Sequence, residues 1–286
     1  MSDDAQGRPV TEGLDEEQAP PGVDPAVPSP ARLYDYYLGG THNYQADRNA
    51  AERIRALVPE LTTGAWANRG FHQRAARWIA RQGIRQFIDI GSGLPTTGNT
   101  HQIVQGIHPR ARVVYVDNDP VVHAHAAELL AGNPTATLIQ ADLRDPEAVL
   151  GNRELRELID FTQPAGLLMT WVLHFVPDAA DPWGLVRRYL DALAPGSYLA
   201  LSHGTADQKP PLAVQTGLDV YAKSTQDIHF RSLEEVSRFF DGLEIVPPYP
   251  GADPAVVHAG LWDCEDPETA DDDGSSWTYC AVARRP

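Results

Sequence analysis

The sequence predicts an α/β protein built on a mostly parallel sheet whose last strand is reversed. Three observations carry that expectation. Apolar, strand-length runs alternate with helical segments from Gly83 onward. Asp119-Pro120, Asp145-Pro146 and Asp181-Pro182 each follow such a run, and each supplies a helix N-cap with proline at the first helical position. A glycine turn, Gly91-Ser92-Gly93, separates the first run from the next helix, and Asp117 closes the second run.

The elements follow in order. Residues 1–28 are rich in Pro, Gly, Asp and Glu without periodicity, and are expected to be a disordered acidic tail. Pro30 to Leu38 is aromatic-rich and reads as a helix stopped by Gly39-Gly40. Residues 45–57 read as a second helix. A stronger one runs from about Thr63 to Gln82, with Phe71, Ala75, Trp78 and Ile79 on one face and Gly83 past its end. Strands are expected at 86–90, 112–117, 136–141, 166–170, 198–202, 243–246 and 277–283, seven in all. Helices fill most of the gaps: one carries Ile103, Val104 and Ile107, three start at the Asp-Pro pairs, and one covers 232–241 behind Ser232. Without a helix between them, the last two strands form an antiparallel pair. Their connection, 247–276, is long for a hairpin and reads as an inserted mobile loop. The chain divides into a tail (1–28), an N-terminal helical cap (29–82) and a nucleotide-binding α/β domain (83–286).

The net charge of −16 is concentrated in two places. Residues 1–30 carry −6 and residues 263–273 carry −7, leaving about −3 elsewhere. A nucleic-acid partner needs a basic footprint, so none is expected. No apolar run of about 18 residues exists, so no membrane span is expected. The acidic N-terminus lacks a signal pattern, so a cytoplasmic protein is expected. Cys264 and Cys280 are the only cysteines, too few for a metal cluster and expected to stay reduced. Low lysine (Lys209 and Lys223) beside abundant arginine and alanine suggests a GC-rich genome.

The turn reads Gly91-Ser92-Gly93-Leu94-Pro95-Thr96. A dinucleotide fingerprint would place a third glycine where Thr96 stands, and Pro95 removes an N–H that a phosphate could use. No Gly-Lys-Ser/Thr follows, so a P-loop fails as well. An uncharged or zwitterionic nucleoside fits better. Asp89 adds negative charge that would repel a pyrophosphate but welcome an amino group or sulfonium. Asp117 closes the second strand, where ribose hydroxyls would lie, and Asp142 closes the third, within reach of an adenine amino group.

At this point the chain resembles a class I S-adenosylmethionine-dependent methyltransferase over roughly Gly83 to Ala283. Asp89-Ile90-Gly91-Ser92-Gly93 resembles the glycine-rich motif, and Val172-Leu173-His174-Phe175-Val176 the segment after the fourth strand. More narrowly, the chain is similar to a bacterial S-adenosyl methyltransferase family formerly catalogued as a domain of unknown function. Pro30 to Gly40 resembles its N-terminal motif. Asn68-Arg69, Val114 to Pro120, Ala141 to Pro146 and Ala194 to Tyr198 resemble its other blocks. The resemblance implies a Rossmann-like fold with a seven-stranded, mostly parallel sheet, helices on both faces and extra N-terminal helices. It also implies S-adenosyl-L-methionine as cofactor and names no acceptor. Gly91, Ser92 and Gly93 would sit against the methionine part, Asp117 would take the ribose, Asn118 would flank the adenine, and Asp142 and Leu143 would hold its edge and face. Thr170 and Trp171 would line the methionine side. Tyr37, Gly40 and Asn43 would cover the cofactor and Arg69 would pair with its carboxylate. For these last four a purely structural use serves equally well: Tyr34, Tyr36 and Tyr37 can pack the helix onto the sheet, and Arg69 can be a solvated helix residue.

Methyl transfer is an in-line displacement in which positioning dominates. His174 is the first candidate for a catalytic base and Asp178 the second; His123, His125, His203 and His229 read as structural. The acceptor is expected to be a small molecule under the N-terminal helices and residues 205–230. Tyr221, Lys223, His229 and Arg231 there point to an acidic or polar one, whereas the acidic 263–273 run would suit a cationic one. Two other classes fit the glycine turn: a non-catalytic nucleoside-binding regulator, and an NAD-type oxidoreductase, against which the missing third glycine counts.

Overall fold

A computed structural model describes residues 13–96 and 98–286. Eight strands form one sheet: β1 (Gln86–Ile90), β2 (Arg112–Asp117), β3 (Ala136–Gln140), β4 (Gly166–Thr170), β5 (Tyr198–Gly204), β6 (Glu244–Ile245), β7 (Val257–His258) and β8 (Thr278–Arg284). Their order is β3-β2-β1-β4-β5-β8-β6, and β7 also pairs with β8. The first five strands are parallel, and β8 runs antiparallel to β5, with Leu199 opposite Ala283. The order reverses between β1 and β4, so a crevice opens at the carboxyl ends of these strands.

The helices are α1 (Pro30–Tyr37), α2 (Gln45–Arg55), α3 (Leu61–Arg81), α4 (Thr100–Gln105), α5 (Pro120–Leu129), α6 (Pro146–Gly151), α7 (Arg153–Leu158), α8 (Pro182–Ala192), α9 (Pro211–Tyr221), α10 (Leu233–Ser237) and α11 (Pro267–Ala270). Each Asp-Pro pair starts a helix, and Asp119, Asp145 and Asp181 accept from backbone N–H groups of the first turn. Strand alternation divides the core. Ile88, Ile90, Leu167, Met169, Leu199 and Leu201 pack towards α6, α7 and α8. Phe87, Val113, Tyr115, Leu168 and Ala200 pack towards α3 and α4. Both faces are covered, which is why these strands read as continuous apolar runs.

Several expectations are corrected. Residues 1–12 of the expected tail lie outside the described residues, but 13–28 follow a defined path. Leu14 and Val23 pack on Tyr44, Val121 and Val122, and the Leu14 N–H donates to the Asn43 carbonyl. Burial of a few apolar groups on α5 fixes a stretch whose composition reads as unstructured. The 247–276 connection is fastened down as well. It contributes β7, the eighth strand. Its Trp262 is buried edge-on against Phe71 and Trp78, and Arg74 of α3 donates to the carbonyls of Trp262 (2.6 Å) and Ala259 (2.8 Å). The expected helix at 232–241 shortens to α10 and a 3-10 turn at Arg238–Phe240. Helix α9 was not anticipated.

The N-terminal layer is tied by a buried ion pair, Arg32 to Asp47 at 2.8 Å, linking α1 to α2. Ser29 donates to Asp119 at 2.7 Å and thereby anchors α1 over the end of β2. Both cysteines are free thiols. No helix among the described residues is long and apolar enough to cross a membrane.

Candidate functional site

The glycine turn is built by β2. Gly91 and Ser92 donate their N–H groups to the Val116 carbonyl (2.8 and 3.3 Å), and Gly93 donates to Asp117 Oδ2 (2.8 Å). Asp117 Oδ1 accepts from Asp119 N–H at 3.0 Å. Gly91 and Gly93 both adopt left-handed backbone, φ 70 and 65°. Their reasons for being glycine differ. A Cβ on Gly91 would meet Val172 Cγ2 at 2.2 Å, while a Cβ on Gly93 would meet nothing within 4 Å. Gly91 is required by the neighbouring segment; Gly93 leaves open space in front of the turn. Burial lifts the Asp117 carboxyl to about 6, against the two backbone donors that lower it.

At the end of β3, Asp142 is held by Arg144 through three short contacts of 2.6 to 3.1 Å. That pairing, ahead of desolvation, lowers the Asp142 carboxyl below its usual range. Leu143 is positioned from below by Tyr189, whose hydroxyl donates to the Leu143 carbonyl.

At the end of β4, Trp171 takes a left-handed conformation, φ 56°. For a bulky residue this costs about 1–3 kcal/mol, so the surroundings must impose it. They do: its N–H donates to the carbonyl and hydroxyl of Ser202 (both 3.1 Å), and its indole donates to Thr278 (2.8 Å). Beside it runs a buried polar chain. Thr100 donates to Asp89 at 2.6 Å, so its oxygen accepts from His72 Nε2 (2.8 Å). His72 Nδ1 then accepts from the Thr170 hydroxyl (2.9 Å). Burial raises Asp89 to about 6 and lowers His72 to about 3, so at neutral pH the histidine is uncharged and the carboxylate ionised.

One cavity of about 430 Å³ gathers these strand ends. Of the residues expected from sequence, Gly91, Ser92, Gly93, Asp117, Asn118, Asp142, Leu143, Thr170, Trp171, His174, Tyr37 and Arg69 line it. Asp89, Gly40 and Asn43 do not. Asp89 shares strand parity with Phe87, which turns its carboxylate under α4 instead of into the crevice. Asn43 and Gly40 close on Asp35: Asn43 Nδ2 donates to it at 2.8 Å, and a Cβ on Gly40 would meet its Oδ1 at 2.1 Å. Arg69 donates to the Gly98 carbonyl at 3.0 Å at the cavity wall.

His174 is buried and accepts from Gly204 N–H through Nδ1 (3.3 Å), which leaves its proton on Nε2. Desolvation, then His203 and Arg231, push it well below the usual histidine range. Arg231, expected near the acceptor, is instead a buried strut. It donates to the Leu173 and Val176 carbonyls and to Asp178, so Asp178 is consumed by this pair. Lys223 and His229 do not line the cavity, and neither does the 263–273 run; Gly274, just past it, packs against Gly64 of α3.

Sequence reasoning missed the placement of His72 and Asn68, and of Phe175 and Trp277, whereas the roof expected from residues 205–230 does line the cavity, through Ala213, Gly217, Tyr221 and Phe230. A signal existed for the first pair. Asn68, Arg69 and His72 are polar yet lie at helical spacing along the buried face of α3 that also carries Ala65, Phe71, Ala75 and Ala76.

The lining suits a nucleoside with hydroxyl and ammonium groups. The Ser92 hydroxyl is buried without a partner among the described residues, Asp117 keeps lone pairs beyond the two it gives the backbone, and Gly93 leaves a cradle that a Cβ would fill. Comparison with known proteins agrees. A family model described as S-adenosyl methyltransferase matches residues 16–286. A structure of a protein described as a putative methyltransferase from Thermobifida fusca is 37% identical, with a TM-score of 0.85, covering 94% of this chain and 98% of that one. A DUF574 family protein from Streptomyces avermitilis is 40% identical, with a TM-score of 0.84, covering 92% and 99%. No protein of curated function matches the chain.

Proposed function

The chain belongs to the S-adenosyl methyltransferase family, and from that premise we propose that it methylates a small molecule enclosed in the cavity at the carboxyl ends of β1 to β4. The protein is a methyltransferase with S-adenosyl-L-methionine as its cofactor. The observation that carries the small-molecule reading is the cover over the strand ends. The cavity that holds the strand-end carboxylates continues under α1, α2 and α9, and residues 22–24 and 27 wall it from the N-terminal side. A protein or nucleic-acid segment would have to displace that cover.

When bound, the cofactor supplies a methyl carbon activated by its sulfonium. The residues divide the remaining work. Asp117 takes the ribose hydroxyls on the lone pairs left by Gly93 and Asp119. Asn118 and Leu143 flank the adenine and Asp142 meets its edge. Arg69 pairs with the methionine carboxylate. The Thr170 hydroxyl donates its hydrogen bond to His72 and so offers its oxygen to the amino group, backed by the ionised Asp89 at the far end of the chain. Asp89 thus acts through Thr100, His72 and Thr170 as a positioning residue. His174 gives its Nδ1 lone pair to Gly204 N–H and carries its proton on Nε2, so it has no free lone pair to act as a base and serves as a neutral wall. Transfer then rests on alignment and exclusion of water.

A bacterial, cytoplasmic setting accords with the two free thiols and with the bacterial sources of the solved relatives. Calorimetry with S-adenosylmethionine and its demethylated product should show binding of both. Radiolabelled transfer in cell extract should then place the label in the low-mass fraction. Label confined to protein or nucleic acid overturns the small-molecule reading.

A further inference from the structure

The far lobe of the cavity has a composition of its own. Two aromatic pairs flank the end of β4: Tyr34 and Trp171, with ring centroids 5.1 Å apart, and Phe175 and Tyr221, 5.7 Å apart. Behind them lie apolar residues of α2 and α9 and the buried Trp277. The charged side chains that line the cavity lie at the strand ends, on α3, in the N-terminal cover and at Arg32 of α1, whose charge is paired with Asp47. Most polar atoms here are engaged. The Tyr34 hydroxyl donates to the Ala65 carbonyl and accepts from Asn68. The Trp171 indole is bonded to Thr278.

Tyr37 differs. It lines the cavity at 3% exposure, and its hydroxyl has no hydrogen-bond partner among the described residues. A buried hydroxyl left unpaired is destabilising, and native proteins tolerate one where a ligand completes it. A charged acceptor in this lobe would lose its hydration without gaining a counter-charge. A flat ring would instead find a run of aromatic side chains, Tyr34, Trp171, Phe175 and Tyr221, joined through His174.

We propose that the methyl acceptor is a neutral, planar aromatic molecule bearing one hydrogen-bonding oxygen or nitrogen, seated against the Tyr34–Trp171 and Phe175–Tyr221 pairs and fixed by the Tyr37 hydroxyl. The proposal rests on the methyltransferase reading and deepens it. It moves Tyr37 from covering the cofactor to holding the acceptor.

Three probes of one shape test it by calorimetry on the full chain loaded with the demethylated cofactor product: 2-naphthol, 2-naphthoate and 2-naphthyltrimethylammonium. The neutral probe should bind at least about tenfold tighter than either ion. Tyr37→Phe should weaken 2-naphthol about tenfold while changing S-adenosylmethionine affinity less than about twofold. The same variant, free of an unpaired buried hydroxyl, should raise the Tm of the unliganded protein by about 2 °C. That last sign separates a ligand-facing hydroxyl from a structural one, whose removal lowers Tm. Binding of an ion as tight as the neutral probe, failure of all three probes, an unchanged or lowered Tm, or a Tyr37→Phe loss confined to S-adenosylmethionine overturns the proposal. Failure of the wild type to bind S-adenosylmethionine is a separate result, and it overturns the methyltransferase reading itself.

Discussion

The two ends of the cavity are made in opposite ways. The strand-end side is a set of short, local devices: a glycine turn pinned by the next strand, Asp117 at the end of β2 and Asp142 two residues past β3, and an Asp-Pro cap behind Asp117. The far lobe has no local device. It takes Tyr37 from α1, Tyr221 from α9 and Trp277 from just before β8, and brings them together only because the N-terminal layer docks over the sheet. One end is polar and preorganised by backbone hydrogen bonds; the other is apolar and shaped by packing. On the proposed reading, the first holds the cofactor and the second sets what is methylated.

Substitutions can separate the two ends. The largest effect is expected at Asp117. Asp117→Ala removes both a ligand group and the carboxylate that holds Gly93 and Asp119, so S-adenosylmethionine affinity should fall by about 100-fold or more in calorimetry. Unchanged affinity would remove Asp117 from the site. The glycines should split next. Gly91→Ala forces a Cβ onto Val172 in a left-handed backbone and should cost about 2–4 kcal/mol in denaturant unfolding. Gly93→Ala has open space and should cost only about 1 kcal/mol, with most of its damage in cofactor affinity. Equal stability losses would show that the space before Gly93 is not a cradle.

On the far side, Gly217→Leu fills the lobe beside Phe230. Turnover should drop at least about tenfold while S-adenosylmethionine affinity stays within about twofold. A parallel loss of both would mean that the ends are not separable.

A pH titration probes the polar end alone. The folded-state pKa of Asp117 is raised to about 6, so its protonated form favours the fold at low pH, and that stability is lost as pH rises through 6. Ribose hydroxyls need the ionised form. Cofactor affinity should therefore weaken about tenfold from pH 7 to pH 5, following the fraction ionised. Flat affinity over that range would mean that Asp117 stays ionised or makes no contact. The smallest change is expected at His174. Asn retains an acceptor for Gly204 N–H, so His174→Asn should keep turnover within about threefold, whereas loss of a true general base costs 100-fold or more.

The same asymmetry governs what could be read in advance. Strands β1, β2 and β4 match the sequence reading residue for residue, because an apolar run bounded by Gly, Asp or Pro is a local signal. Gly91, Gly93, Asp117 and Asp142 were legible for the same reason. Asp89 was legible as a charge beside the turn but not in its direction, since strand parity decides which face it joins. Gly40 and Asn43 carry motif positions, yet they serve Asp35. Residues 13–28 and 247–276 read as tail and mobile loop because their composition is polar. A few apolar groups, the partly buried Leu14 and Val23 in one and the buried Ala259 and Trp262 in the other, are enough to fix them.

The sequence by itself determined the α/β alternation, the glycine turn and the acids at successive strand ends, since each depends on contacts within a strand, a turn or a cap. Only the tertiary structure decided which side chains face the cavity and what closes it. Tyr37, His72, Tyr221 and Trp277 share no sequence neighbourhood, and their meeting depends on how layers pack, which no local periodicity encodes.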